Sequence, residues 1–342
     1  MCCITDTNHT QPAFPNKKPH DGADPMRAII KPLLATIVSG TLIAATAPGA
    51  IANDDWQTSK WGDDDTIGAA NYLSADRILE ATRLVTEGKA YSLGVELNRD
   101  FPAYGTRFFD ITVMEPRAGG QAIGPTKLTS TDDILHTWLG IGSQIDGFGH
   151  IGIDHKHYNG LAAEDIVAVD GLKKLGTEGI PPIVTRGVLL DMTKHFGQDM
   201  LTEGQGFNRE EIRAAAEAQG VKIQEGDVVL FHTGWLSLVG EDNERFGKAQ
   251  PGLGVDGANY LADQGVVAVG ADNWGLEVIP FEEGTGVFEV HQTLLAKNGV
   301  YILENMNTAE LAKDNVHEFM FVLGQPKVKG AVQMMVNPIA IK

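Results

Sequence analysis

Gly140-Ile-Gly-Ser-Gln-Ile-Asp-Gly-Phe-Gly-His150 is the densest polar stretch of the chain, and His155, His157 and Tyr158-Asn-Gly160 follow closely. Four histidines, His136, His150, His155 and His157, fall in this neighbourhood. If the segment is extended, residues two apart share a face, so Gln144 and Asp146 point the same way and His150 is a further candidate for that face. Gly142, Gly147 and Gly149 let the backbone lie close to whatever those side chains hold. A carboxylate, an imidazole and an amide carbonyl on one face make a credible set of hard or borderline metal donors. The same residues also suit a glycine-rich loop whose Asp and His only cap turns. Spacing leaves both readings open.

A second cluster lies further along. His291 opens His291-Gln-Thr-Leu-Leu-Ala-Lys-Asn-Gly-Val-Tyr-Ile-Leu-Glu-Asn305, in which a helical pattern gives way to a short apolar run. A helix followed by a strand can bring His291 and Glu304 to the same end of a sheet. A carboxylate at the end of a buried strand is costly unless it is paired or bound to metal. A salt bridge at Glu304 and a hydrogen-bonded helix histidine at 291 are the plain alternative.

Working outward, short β-branched runs alternate with helical patterns. Gly187–Met192, Asp227–His232, Val266–Gly270, Val300–Leu303, Phe319–Leu323 and Val332–Val336 read as buried strands. Asn208, with Glu211 three residues on, opens a helix that Gly220 ends. Asp256–Gln264 and Glu289–Lys297 read as two more. Mixed along one chain, these predict an α/β fold. No Gly-rich phosphate loop follows a strand, so a dinucleotide or P-loop site has no support.

The 342 residues carry 27 Lys and Arg against 45 Asp and Glu, a formal charge of -18. Such a surface repels phosphate backbones and argues against nucleic-acid binding. The only cysteines are Cys2 and Cys3, so no thiolate cluster or catalytic cysteine can be built in the body of the chain. Residues 26–52 run from Met26, with Arg27 and Lys31, through an apolar stretch to Ala50-Ile-Ala52. That is the make-up of a secretory signal peptide, which implies a secreted, periplasmic protein. Residues 1–25 are then upstream of the true start, or an extension added for expression. Residues 53–342 form a single domain without repeat or linker, and no second run of ~20 apolar residues offers a membrane span.

The two polar segments resemble those of the cyclase family of metal-dependent hydrolases, which includes bacterial kynurenine formamidase, isatin hydrolase and a metal-dependent dienelactone hydrolase. That family carries H-x-G-T-H-x-D-x-P-x-H, then H-x-x-L-L and I-L-E-N. Here the elements read Gly140 to His150, His291-Gln-Thr-Leu-Leu295 and Ile302-Leu-Glu-Asn305. Gly226-Asp-Val-Val-Leu-Phe-His-Thr-Gly-Trp235 and Gly270-Ala-Asp272 resemble further family segments in the same order. Gly140 and Gln144 stand where the family has its first two histidines, and Phe148 where it has proline. The chain is similar to a longer branch with glutamine before the aspartate.

The resemblance implies the swivelling β/β/α fold, a homo-oligomer and a divalent ion, Zn or Mn. It implies Asp146, His291 and Glu304 as ligands, Gln144 as a weak oxygen donor and His150 as the catalytic base. His136, His155 or His157 are available to replace the missing imidazoles. The implied reaction is hydrolysis of a cyclic amide, a lactone or an aryl formamide. A metal-activated water would attack while His150 moves its proton. Phe148, Trp138, Trp235 or Trp274 would hold a flat ring. Two alternatives are a periplasmic binding protein that has lost turnover and a dehydratase or cyclase using the same site.

Overall fold

The computed structural model describes residues 55–114 and 122–342, and the described part belongs to one compact unit. The expected signal peptide and the segment before it lie outside the described residues. Among the described residues no helix is long and apolar enough to cross a membrane.

Nine strands make the main sheet. They are β1 (Ala90–Ser92), β4 (Gln144–Asp146), β5 (Ile183–Asp191), β6 (Val228–His232), β7 (Ala268–Ala271), β8 (Tyr301–Glu304), β9 (Glu318–Leu323), β10 (Gln333–Met335) and β11 (Ile339–Ile341). A separate two-stranded arm pairs β2 (Phe109–Met114) with β3 (Asp132–Thr137). The sheet order is β1-β11-β9-β5-β6-β7-β8-β4-β10. β5 to β8 run parallel, and the strands on either side of them pair antiparallel. All six strands read from the sequence are present within a few residues of the expected bounds. The mixed α/β fold is as expected.

The composition of the parallel centre explains its place. Parallel strands are covered on both faces, so they carry continuous apolar runs rather than alternation. Val228, Val229, Leu230 and Phe231 are fully buried, each side chain contributing roughly 1.5–3 kcal/mol. Gly187 permits one close contact. It pairs with Phe319, and a Cβ at 187 would lie 2.1 Å from the Phe319 ring.

Helices cover the sheet. Arg209–Ala218 begins as expected, with the Glu211 carboxylate accepting the Asn208 backbone N–H at 2.8 Å, and Gly220 follows it with φ +70°. Val255–Asp263 is the second. The third differs from expectation. One α-turn, Glu289–His291, widens at once into a π-helical segment, Gln292–Lys297. Such wide turns recur at functional sites, and a periodicity argument cannot tell them from an ordinary helix.

The parallel strands all deliver their polar residues to one edge. Asp191, His232, Asp272 and Glu304 stand at or just beyond the carboxyl ends of β5, β6, β7 and β8. In α/β sheets that edge is where ligands bind.

Candidate metal centre and active site

Cross-strand register assembles the polar cluster. β4 lies between β8 and β10, with Gln144 opposite Glu304 and Asp146 opposite Gln333. Opposed residues of an antiparallel pair share a face, and residues two apart on one strand do too. Gln144, Asp146, Glu304 and Gln333 therefore converge, and all are buried. His291 enters from the turn before the π-helical segment and is also buried.

Asp146, His291 and Glu304 each offer one ligand atom, and these atoms lie within 4.8 Å of one another. His291 Nε2 is 3.2 Å from Glu304 Oε1 and 3.7 Å from Asp146 Oδ2. A tetrahedral ion with ligands at about 2.1 Å would space them by about 3.4 Å. Asp146 Oδ2 is buried and has no hydrogen-bond partner. An orphaned carboxylate oxygen beside an imidazole nitrogen and a second carboxylate fits a cation.

The far side of the imidazole is also held. His291 Nδ1 lies 2.6 Å from Glu277 Oε1, so a carboxylate orients the ring and aims Nε2 at the cluster. Burial works against the His291 imidazolium, but Glu277 and Glu304 outweigh it and lift the group to about 10. Burial raises Glu304 to about 7, Asp146 adding to the effect and His291 opposing it. A divalent ion bound here would take the place of the imidazolium proton between His291, Glu304 and Asp146 and supply the positive charge these carboxylates attract.

His150 follows β4 on a tight turn, its N–H donating to Gly147 at 3.0 Å. Its Nε2 is 3.9 Å from Asp146 Oδ2. Burial, the largest influence, pushes its pKa down to about 4 against the pull of Asp146. The imidazole is therefore neutral at ordinary pH, with a lone pair available to take a proton.

A cavity of about 100 Å³ opens above these groups. His150, His291 and Glu304 are joined in its wall by Ile151, Gly275 and Arg107, and by the aromatic rings of Tyr104, Trp274 and Phe288. Tyr104 stacks on Trp274 with centroids 5.3 Å apart, and Phe288 meets Tyr104 edge-on. The Trp274 indole N–H is buried without a partner.

Several expected residues stand elsewhere. Trp274 lines the cavity, whereas Phe148, Trp138 and Trp235 do not. Phe148 stacks on Tyr301 in the main core, their centroids 4.4 Å apart. Trp235 is fully buried with Leu238 and Phe246 and donates its indole N–H to the Phe246 carbonyl. Trp138 is 49% exposed at the end of the arm. Gln144 meets the cluster with its amide nitrogen, 3.0 Å from Asp146 Oδ1 and 2.8 Å from Glu304 Oε2, rather than as an oxygen donor. The reverse orientation would set an amide oxygen against two carboxylates. His136 and His155 are exposed, and His157 Nδ1 faces the Phe148 carbonyl at 3.3 Å, so none joins the cluster. Glu277, Gln333, Arg107, Tyr104 and Phe288 escaped the sequence reading, because each reaches the site through pairing or loop geometry rather than through spacing.

Residues 91–278 match the family model Cyclase, described as Putative cyclase. The chain belongs to the cyclase family. The matched span includes Asp146 and His150 and stops short of His291 and Glu304, which lie in the last third of this cyclase-family chain. A crystal structure of a novel cyclase is 31% identical, with a TM-score of 0.76 over 83% of this chain and 96% of that one. Isatin hydrolase A from Ralstonia solanacearum shares the fold at 17% identity, with a TM-score of 0.58 over 78% and 97% of the two chains. An isatin hydrolase bound to the product analogue thioisatinate shares it too, at 17% identity and TM-score 0.55 over 78% and 98%. No curated protein sequence matched.

Proposed function

We propose that this cyclase-family chain is a metal-dependent hydrolase that opens a cyclic amide or lactone, or cleaves an aryl formamide. The observation that carries this is Asp146 Oδ2, buried and unpartnered beside His291 Nε2 and Glu304. Asp146, His291 and Glu304 would hold the ion, and an imidazole with two carboxylates suits Zn or Mn. A divalent ion held there would polarise a scissile carbonyl and lower the pKa of water at the site. His150, neutral and on the cavity wall, takes a proton from the attacking water and returns it to the leaving nitrogen or oxygen. The stacked Trp274 and Tyr104 give the cavity an aromatic wall suited to a ring, and the Arg107 guanidinium suits a carbonyl or carboxylate oxygen. The isatin hydrolases among the structural neighbours support a cyclic amide as the first substrate to try.

A binding protein without turnover is the second reading. It is favoured by Gly140 and Gln144, which stand where the family has imidazoles. Assaying Zn- and Mn-loaded protein against isatin, N-formylkynurenine, dienelactone and simple lactones decides between them. Ring opening or deformylation that Asp146→Ala and His291→Ala both abolish, together with the bound ion, supports the hydrolase. Full metal occupancy in both variants would place the ligands elsewhere.

The protein is further proposed to be periplasmic, on the sequence of residues 26–52. Material recovered from the envelope would begin at Asn53, and retention of residues 26–52 would overturn this. Self-association is proposed through the β2–β3 arm, where Ile111, Val113, Ile134 and Leu135 are exposed. A monomeric mass in solution would count against it.

A further inference from the structure

We infer that Gln144 and Gln333 are positioning residues that restrict this centre to a single ion, bound through one oxygen of each carboxylate. The inference rests on the reading of Asp146, His291 and Glu304 as metal ligands; it replaces the expected ligand role of Gln144 with a positioning one and adds Gln333.

Each amide spends its N–H groups on a carboxylate oxygen. Gln333 Nε2 lies 2.7 Å from Asp146 Oδ1, and Gln144 Nε2 lies 3.0 Å from the same atom. Gln144 also holds Glu304 Oε2 at 2.8 Å. With those two oxygens engaged, Asp146 Oδ2 and Glu304 Oε1 are left facing His291 Nε2. The result is three single-atom donors on one side of one point. An amide nitrogen donates hydrogen bonds and offers a cation nothing, so the volume the two amides fill is closed to a second ion.

The orientation of Gln333 is set from behind. Its Oε1 faces Arg107 Nη2 at 3.4 Å, and Arg107 Nη1 is fixed by the Gly140 carbonyl at 2.7 Å. Gly140 also makes the room, since a Cβ there would fall 2.2 Å from Gln333 Oε1 and 2.5 Å from its Cδ. A side chain at 140 would therefore displace the Gln333 amide from this position. The Gln144 amide stands where the family has one imidazole, and the Gln333 amide lies against Gly140 where it has the other, so hydrogen-bond donors replace potential ligands.

Calorimetric titration of the full chain with Mn²⁺, with elemental analysis after desalting, tests this on the wild type, Gln144→Met, Gln333→Met and Asp146→Ala. Methionine keeps the volume and removes the donor, and circular dichroism checks the fold. The expected result is one ion per chain in the wild type. Affinity should be ~10–100-fold weaker in each Met variant, as for other groups that orient ligands, and binding should be lost in Asp146→Ala. Two ions in the wild type would overturn the single-ion claim. One ion held equally well by folded Met variants would overturn the positioning role, while the metal site itself stood. Binding absent from the wild type, or unaffected by Asp146→Ala, would remove the ligand assignment and this inference with it. If one Met variant fails to fold, the other decides.

Discussion

Glu277 and His291 form a buried pair in which one carboxylate fixes both ring and backbone. Glu277 Oε1 lies 2.6 Å from His291 Nδ1 and accepts the His291 backbone N–H at 3.3 Å, while Oε2 accepts that of Val290 at 3.4 Å. The turn that carries His291 and the tilt of its ring thus depend on one side chain. Glu277→Gln should weaken Zn²⁺ or Mn²⁺ binding ~10–100-fold. A titration giving wild-type affinity would show that the ring is oriented by packing alone.

His150 separates catalysis from binding. His150→Ala should retain the ion and the fold and lose ~10²–10⁴-fold in turnover, the usual share of acid–base help. Loss of the ion together with activity would make His150 a ligand instead. Turnover left intact would remove it from the mechanism.

Two tryptophans should behave oppositely. Trp235→Ala empties a filled core against which Trp274 packs, and should cost about 3–5 kcal/mol in denaturant unfolding, with a smaller effect on KM than the loss of Trp274 itself. Trp274→Ala removes a wall of the cavity and should raise KM with a much smaller loss of stability. The reverse pattern would mean that the cavity is not where substrate sits.

These contrasts mark how far the sequence could be read. The strands from Gly187 to Val336 were legible because each is a short β-branched run, and such runs persist whatever the tertiary context. Gln144 and Asp146 were legible as same-face neighbours because strand alternation is strictly local. Glu277 and Gln333 were not, since each reaches the cluster only through partners far away in sequence. The tryptophans illustrate the same limit from the other side. Trp235 and Trp274 are equally aromatic in the sequence, and only packing sends one into a core and the other to a cavity. The widened turn after His291 is invisible for a related reason, as one extra residue per turn leaves no mark in so short a pattern.

The strand-end cluster also sets a pH dependence. Burial opposes charge on His232, but Asp272, whose Oδ2 is 3.1 Å from His232 Nδ1, and Asp191 prevail and raise its pKa above 6.5. A raised histidine stabilises most fully below pH 6.5 and loses its contribution as pH climbs through the raised value. Unfolding free energy measured upward from about pH 6.5 should fall in the wild type, and the slope should flatten in His232→Gln. Equal slopes in the two proteins would show that the pair does not titrate in this range.

The hydrogen bonds that knit the cluster span very long stretches of chain. Gln144 and Glu304 are 160 residues apart, and Asp146 and Gln333 are 187 apart. Contacts of such separation bear the full loop-closure entropy and form late in folding. The parallel centre of the sheet cannot bring these partners together until β4 docks between β8 and β10. Ion capture during refolding would therefore mark the final step, and its rate would time the docking of β4 between β8 and β10.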